Sequence, residues 1–121
     1  MSKLQSYVSL APYFRVPKEN KAAVDELIPI MAAKANEEPG CLYYEWAWSS
    51  TDDTLLLCRE AYVDAAGMDA HEKNLADYLP KMKSLAKIER CECHGPAAEI
   101  EKLKAGLDKM GATSFVLLPH K

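Results

Sequence analysis

Apolar and polar side chains alternate over residues 7–16, Y-V-S-L-A-P-Y-F-R-V, and the period of two predicts a strand. Val8, Leu10, Phe14 and Val16 share one face, and Tyr7, Ser9, Ala11, Tyr13 and Arg15 the other. Pro12 cannot donate to a ladder and predicts a bulge or an edge at that point, and Pro17 ends the strand. From about residue 18 to 38 the period lengthens. Val24, Leu27, Ile28, Met31 and Ala35 form one stripe of a helix, Pro29 predicts a kink, and Glu37-Glu38-Pro39-Gly40 reads as a stop.

Two strongly apolar strands follow, at 41–49 and 54–62, joined by a short polar turn; they predict a hairpin. Leu42, Tyr44, Trp46 and Trp48 fall on one face of the first strand, with Cys41, Tyr43, Glu45 and Ala47 opposite. In the second, Leu55, Leu57, Arg59 and Ala61 oppose Leu56, Cys58, Glu60 and Tyr62. Large apolar side chains on both faces predict that both are covered, one of them by self-association through the sheet. A second helix begins at Asp64 or Ala65, with Met68, His71, Leu75, Tyr78 and Met82 inward and Glu72, Lys73 and Asp77 towards water. Pro80 predicts either a kink or the start of a separate turn through Ala86. A strand at 88–94, a helix carrying Ile100, Leu103, Leu107 and Met110 and capped by Gly111, and a last strand at 114–118 complete the chain. The charged run at 99–104 reads as a solvated helix face.

The order βαββαβ, followed by αβ, predicts an α+β fold of the ferredoxin-like kind, an antiparallel sheet with a C-terminal helix-strand extension. We expect residues 1–95 to form the ferredoxin-like domain and 96–121 its extension.

Composition narrows the function classes. At 121 residues with a net charge of −3, the chain has no basic patch, so no nucleic-acid partner is expected. No apolar run approaches the roughly 20 residues that span a bilayer, and the first residues lack a signal-peptide core, so a cytoplasmic protein without a membrane partner is expected. Cys41, Cys58, Cys91 and Cys93 read as strand thiols rather than disulfides. Cys91 and Cys93 share a face, but His94 points the other way, so no metal site is expected.

Three segments carry a family pattern: E-P-G-C-L-Y-Y-E at 38–45, L-L-L-C-R-E-A-Y at 55–62 and D-A-A-G-M-D-A-H at 64–71. In this order and spacing the chain resembles the antibiotic biosynthesis monooxygenase superfamily of small dimeric α/β-barrel proteins, over roughly residues 7–94. That superfamily includes quinol and anthrone monooxygenases that use neither metal nor flavin, haem-degrading enzymes and an isomerase of a signalling molecule. The resemblance implies a homodimer and an oxidoreductase that oxidises a small hydroxylated aromatic or quinol with dioxygen, without a cofactor. Two departures bear on this. No second histidine follows His71 within a few residues, and the first strand lacks the asparagine that haem-degrading members carry, which argues against haem breakdown.

His71 is the candidate acid-base residue, because an imidazole suits removal of a phenolic proton near neutral pH. Glu60, on an apolar strand, needs a buried partner and is expected to orient His71 or to act as an acid itself. Tyr44 and Trp46 form an aromatic row suited to a flat substrate. Asn74 and Tyr78, three and seven residues after His71, are expected on the same helix face as further substrate contacts. The residues alone leave two alternatives open: an isomerase or lyase of a small carbonyl compound using the same histidine, and a non-catalytic dimer that binds a small molecule.

Overall fold

The computed structural model describes residues 6–119. Its elements are β1 (Val8–Arg15), a 3-10 turn (Lys18–Asn20), α1 (Lys21–Ala35), β2 (Cys41–Trp48), β3 (Leu55–Tyr62), α2 (Ala65–Asn74), α3 (Leu79–Leu85), β4 (Lys87–Gly95), α4 (Ala97–Met110) and β5 (Thr113–Val116). The sheet order is β2-β3-β1-β4-β5, antiparallel throughout except for β5, which runs parallel to β4. The first four strands are therefore in the ferredoxin-like arrangement, and β5 is added at the β4 edge. Gly111 caps α4 in the left-handed conformation, with φ 69°, and turns the chain into β5.

Hydrogen-bonded register defines rows of side chains across the covered face. Tyr44, Glu60, Leu10 and Cys93 form one row, and Trp48, Leu56, Phe14 and Ile88 another. Two apolar cores are built on this face. Val24, Leu27, Met31 and Ala35 of α1 and Met82 of α3 pack on Phe14, Tyr44, Leu56 and Cys58. Ile100, Leu103 and Leu107 of α4 pack with Ala65 and Met68 of α2 on Val8, Leu10, Tyr62, Cys91 and Cys93. The extension thus supplies half of the covering layer.

Four local expectations are corrected. The β2–β3 pairing shifts register between Cys41 and Tyr43, so Cys41, opposite Tyr62, lies on the covered face and Leu42 is exposed. Pro12 sits in the central strand, not at an edge, and the register shift near it falls one step later, between Tyr13 and Phe14 against β4. The helix that begins after Asp64 stops at Asn74 rather than running on to Met82, and of the two readings of Pro80 the separate turn is the one present, with Pro80 in the first turn of α3. Glu99 is buried rather than solvated: it accepts the Ala65 N–H at 3.0 Å, while Asp64 accepts the Gly67 N–H at 2.9 Å. Two free donors at the start of α2 are satisfied in this way, one by its own cap and one by α4.

The entry of β2 and the first turn of α2 meet at two glycines. A Cβ on Gly67 would lie 3.1 Å from the Gly40 carbonyl oxygen and 3.2 Å from the Tyr62 Cβ, and one on Gly40 would lie 3.1 Å from the Gly67 Cα. This close approach seats α2 on the sheet and turns His71 inward.

Candidate active site

His71 projects from α2 in the stripe Met68, His71, Leu75, all three buried. Its ring lies between Tyr44 and Tyr62, with centroid separations of 5.0 and 5.1 Å. Nδ1 is 3.0 Å from both carboxylate oxygens of Glu38. Nε2 is 3.7 Å from Glu60 Oε1, which is too long for a direct hydrogen bond. A carboxylate can only accept from Nδ1, so the pattern assigns the proton to Nδ1 and presents Nε2 towards Glu60.

Glu38 lies in the turn after α1. The Glu38 and Cys41 N–H groups bond to the carbonyls of Ala35 and Glu38, and the curl of this turn brings the carboxylate inward. Asn74 holds it there, donating from Nδ2 to Glu38 Oε2 at 2.8 Å and to the Lys34 carbonyl at 3.0 Å.

Glu60 is buried and accepts from Tyr62 Oη at 2.7 Å and Cys58 Sγ at 3.1 Å. Burial pushes its carboxyl pKa up, opposed by the neighbouring imidazole of His71 and by these two donors. Burial also raises the Tyr44, Tyr62 and Cys58 groups well above their ordinary values, so all three stay neutral donors. Burial pushes the Cys41 thiol to about 11 and Cys91 to about 12. All four cysteines are free, and among the described residues no three metal-ligating side chains cluster.

Glu60 also gives stability a pH slope. Its pKa in the folded state lies above the ordinary 4.5 of the unfolded chain, so between the two values the folded protein binds more protons. Stability therefore falls as pH rises through that window. Glu60→Gln removes this contribution, and we expect the variant to gain on the wild type from about pH 4.5 upwards in chemical denaturation. An unchanged slope in the variant would show that Glu60 is not its source. Glu72, also raised by burial, leaves a slope of the same sign.

His71 and Glu60 form the polar end of a cavity of about 90 Å³ at the seam between the two cores. Leu10, Pro12, Phe14, Met31, Tyr44, Trp46 and Ile88 line its walls, together with Leu79 and Met82 of α3 and Met110 of α4. Glu72 and Lys83 are its other charged lining groups. Of the residues singled out from sequence, His71, Glu60, Tyr44 and Trp46 come together here. Asn74 and Tyr78 do not line the cavity. Asn74 is turned towards Glu38, and Tyr78, at the N-cap of α3, packs on the α1 side with Lys34 Nζ 5.8 Å from its ring centre. Helical phase counted from His71 fails beyond Asn74, because the helix itself ends there. Glu72, expected in water, is half-buried and lines the cavity. In the sequence Glu38 reads only as part of a stop signal; its cue is a carboxylate beside a Pro-Gly turn in a chain whose buried histidine needs a partner for its second nitrogen.

The family model described as antibiotic biosynthesis monooxygenase matches residues 8–82, from β1 into α3. MupZ from Pseudomonas fluorescens is 34% identical over 96% of this chain and 93% of its own, with a TM-score of 0.87. That match takes in α4 and β5. A conserved protein of unknown function from Bacteroides thetaiotaomicron, described as a possible oxidoreductase, is 27% identical over 74% of this chain and 96% of its own, with a TM-score of 0.68. SnoaB, a cofactor-independent oxygenase from Streptomyces nogalater, shares the fold at 13% identity and a TM-score of 0.62, over 73% of this chain and 88% of its own. No curated protein matches. Among the described residues no helix is long and apolar enough to cross a membrane. The matched segment covers more than half of the sequence and holds the Pro-Gly-Cys turn, the Glu60 strand and the helix of His71, and the chain belongs to the antibiotic biosynthesis monooxygenase family.

Proposed function

We propose that this protein is a cofactor-independent monooxygenase that oxidises a small hydroxylated aromatic or quinol with dioxygen. The observation that carries the reading is the buried His71, held by Glu38 at Nδ1 and facing Glu60 with Nε2 at the polar end of an apolar cavity. An apolar cavity of roughly 150 Å³ takes up benzene. At about 90 Å³ the cavity here is tighter than that, so even a single ring enters only as the lining side chains yield, and larger ring systems are disfavoured.

A ring hydroxyl placed beside Nε2 gives its proton to His71. The resulting phenolate is electron-rich enough to reduce dioxygen itself. One electron passes to dioxygen, and recombination at a ring carbon gives a peroxide, which takes up a proton. Loss of the ring C–H proton then breaks the O–O bond and releases water, leaving a quinone carbonyl. Phenol and dioxygen thus yield quinone and water, with one oxygen atom in each. Glu60, whose burial favours its acid form, is positioned to protonate the peroxide and the departing oxygen. The apolar walls exclude bulk water from these charged intermediates.

The test is oxygen uptake by metal-stripped protein with one-ring phenols and hydroquinones, autoxidation subtracted. Uptake above autoxidation supports the reading, and its absence across the series counts against it. A second reading is favoured by one observation: His71, Glu60 and Glu72 make a complete acid-base set in one cavity, with burial favouring the acid form of both carboxyls. Such a set also suits an isomerase or lyase of a small carbonyl compound, which consumes substrate without oxygen.

The outer sheet face supports a homodimer. Tyr13, Tyr43, Leu55 and Leu57 are half-buried there, and the helices pack on the opposite face. The chain, 13.5 kDa, is then expected to sediment at twice that mass, and Leu57→Lys to halve the observed value. A wild type that sediments as a monomer would remove this part of the proposal.

A further inference from the structure

We infer that Tyr44 and Trp46 form a donor pair that binds the substrate oxygen as it becomes an anion; this deepens the proposed reading and rests on it. Both side chains line the cavity. Trp46 Nε1 is buried and has no hydrogen-bond acceptor among the described residues. Its N–H favours the ionised form of the Tyr44 phenol, yet no hydrogen bond joins the two side chains. The Tyr44 hydroxyl itself has only Met31 Sδ, at 4.0 Å, a long contact with a weak acceptor.

Two neutral donors without good acceptors, side by side in an apolar wall, are costly unless something uses them. The contrast with Trp48 on the same strand is informative. Its Nε1 donates to Asp25 at 2.9 Å, and Lys21 Nζ stands 4.4 Å from its ring centre, so its polar edge is fully used. Trp46 and Tyr44 are instead T-shaped to each other at 5.9 Å, and the Tyr44 ring also packs on His71 at 5.0 Å. Tyr44 is therefore next to the group that takes the proton, and Trp46 next to Tyr44.

All three side chains line the same cavity, and the proposed place of the substrate oxygen is between His71 and the two donors. The donors bond more strongly to the phenolate than to the phenol, since a hydrogen bond to a charged acceptor is the stronger kind. They do so without reorganising, as in an oxyanion hole. The substrate class this specifies is a ring, or an enolisable carbonyl compound, whose reacting oxygen becomes anionic in place.

The test uses 4-nitrophenol, whose phenolate absorbs in the visible, bound to the wild type, Tyr44→Phe, Trp46→Phe and the double variant. The absorbance of the bound dye gives its pKa without any need for turnover. Each single variant is expected to raise the pKa of the bound phenol by about one unit and the double variant by about two. With ¹⁵N-labelled tryptophan, the Trp46 indole N–H resonance is expected to move downfield on dye binding, and the Trp48 resonance to stay in place. Tyr44→Phe removes a hydroxyl without a good partner and keeps the ring, so its unfolding midpoint should match or exceed the wild type, while Trp46→Phe also loses packing against Phe14 and should unfold somewhat earlier. Dye that binds with the same pKa in all four proteins, or leaves the Trp46 resonance unmoved, overturns the donor pair while the phenol reading stands. Failure of the wild type to bind the dye overturns both.

Discussion

His71→Ala is expected to lower kcat by about 10²–10⁴-fold, the range for loss of a positioned general base. The side chain is 2% exposed and faces both Glu38 and Glu60. Removing it leaves two buried carboxyl groups without the ring between them. A stability loss of about 1–3 kcal/mol should accompany the kinetic one, read from denaturation midpoints. His71→Gln separates the two effects, because it restores a polar group without a base of suitable strength. If either variant turned over a proven substrate at the wild-type rate, His71 would not be the base.

The second large effect is expected at Glu38. Glu38→Gln leaves His71 beside a neutral amide that can donate or accept, so Nδ1 no longer has a reason to hold the proton. In serine proteases, the loss of the carboxylate that sets a histidine tautomer costs about 10⁴-fold. Here Asn74 still anchors the side chain at position 38, and the cost should be about 10²-fold in kcat. Because Glu38 does not line the cavity, KM should change little. A variant with raised KM and unchanged kcat would mean that Glu38 shapes binding rather than proton transfer.

The fold was legible where period and punctuation agree. Val8, Leu10, Phe14 and Val16 at period two, and Val24, Leu27, Met31 and Ala35 at helical spacing, are buried as the pattern predicts. The order of elements fixed the ferredoxin-like arrangement because a split βαβ unit leaves few ways to order four strands. What escaped were features that depend on tertiary contact. One extra residue in β2 exchanges the roles of Cys41 and Leu42, and strand alternation carries no sign of it. Glu99 looks like any charged residue on a polar helix face until α2 places the Ala65 N–H in front of it.

The site shows the same division. Glu60 and His71 stood out because charged or polar groups on apolar faces need partners. Tyr44 and Trp46 followed from the shared strand face. Tyr78 is misplaced by extending one helix through a segment that holds two, whereas Asn74 is still in α2 and is drawn aside by its bond to Glu38. Glu38 was passed over because its turn had a sufficient local explanation, and Glu72 because charge was read as exposure.

The measurement that bears most directly on the account is the fate of ¹⁸O₂ in turnover of a one-ring phenol. The account predicts one dioxygen consumed per substrate, one labelled oxygen in the quinone and the other in water, with the uptake abolished in His71→Ala. Substrate consumed with no dioxygen taken up and no label in the product would contradict it, and would make the proton-transfer chemistry of His71 and Glu60 redox-neutral.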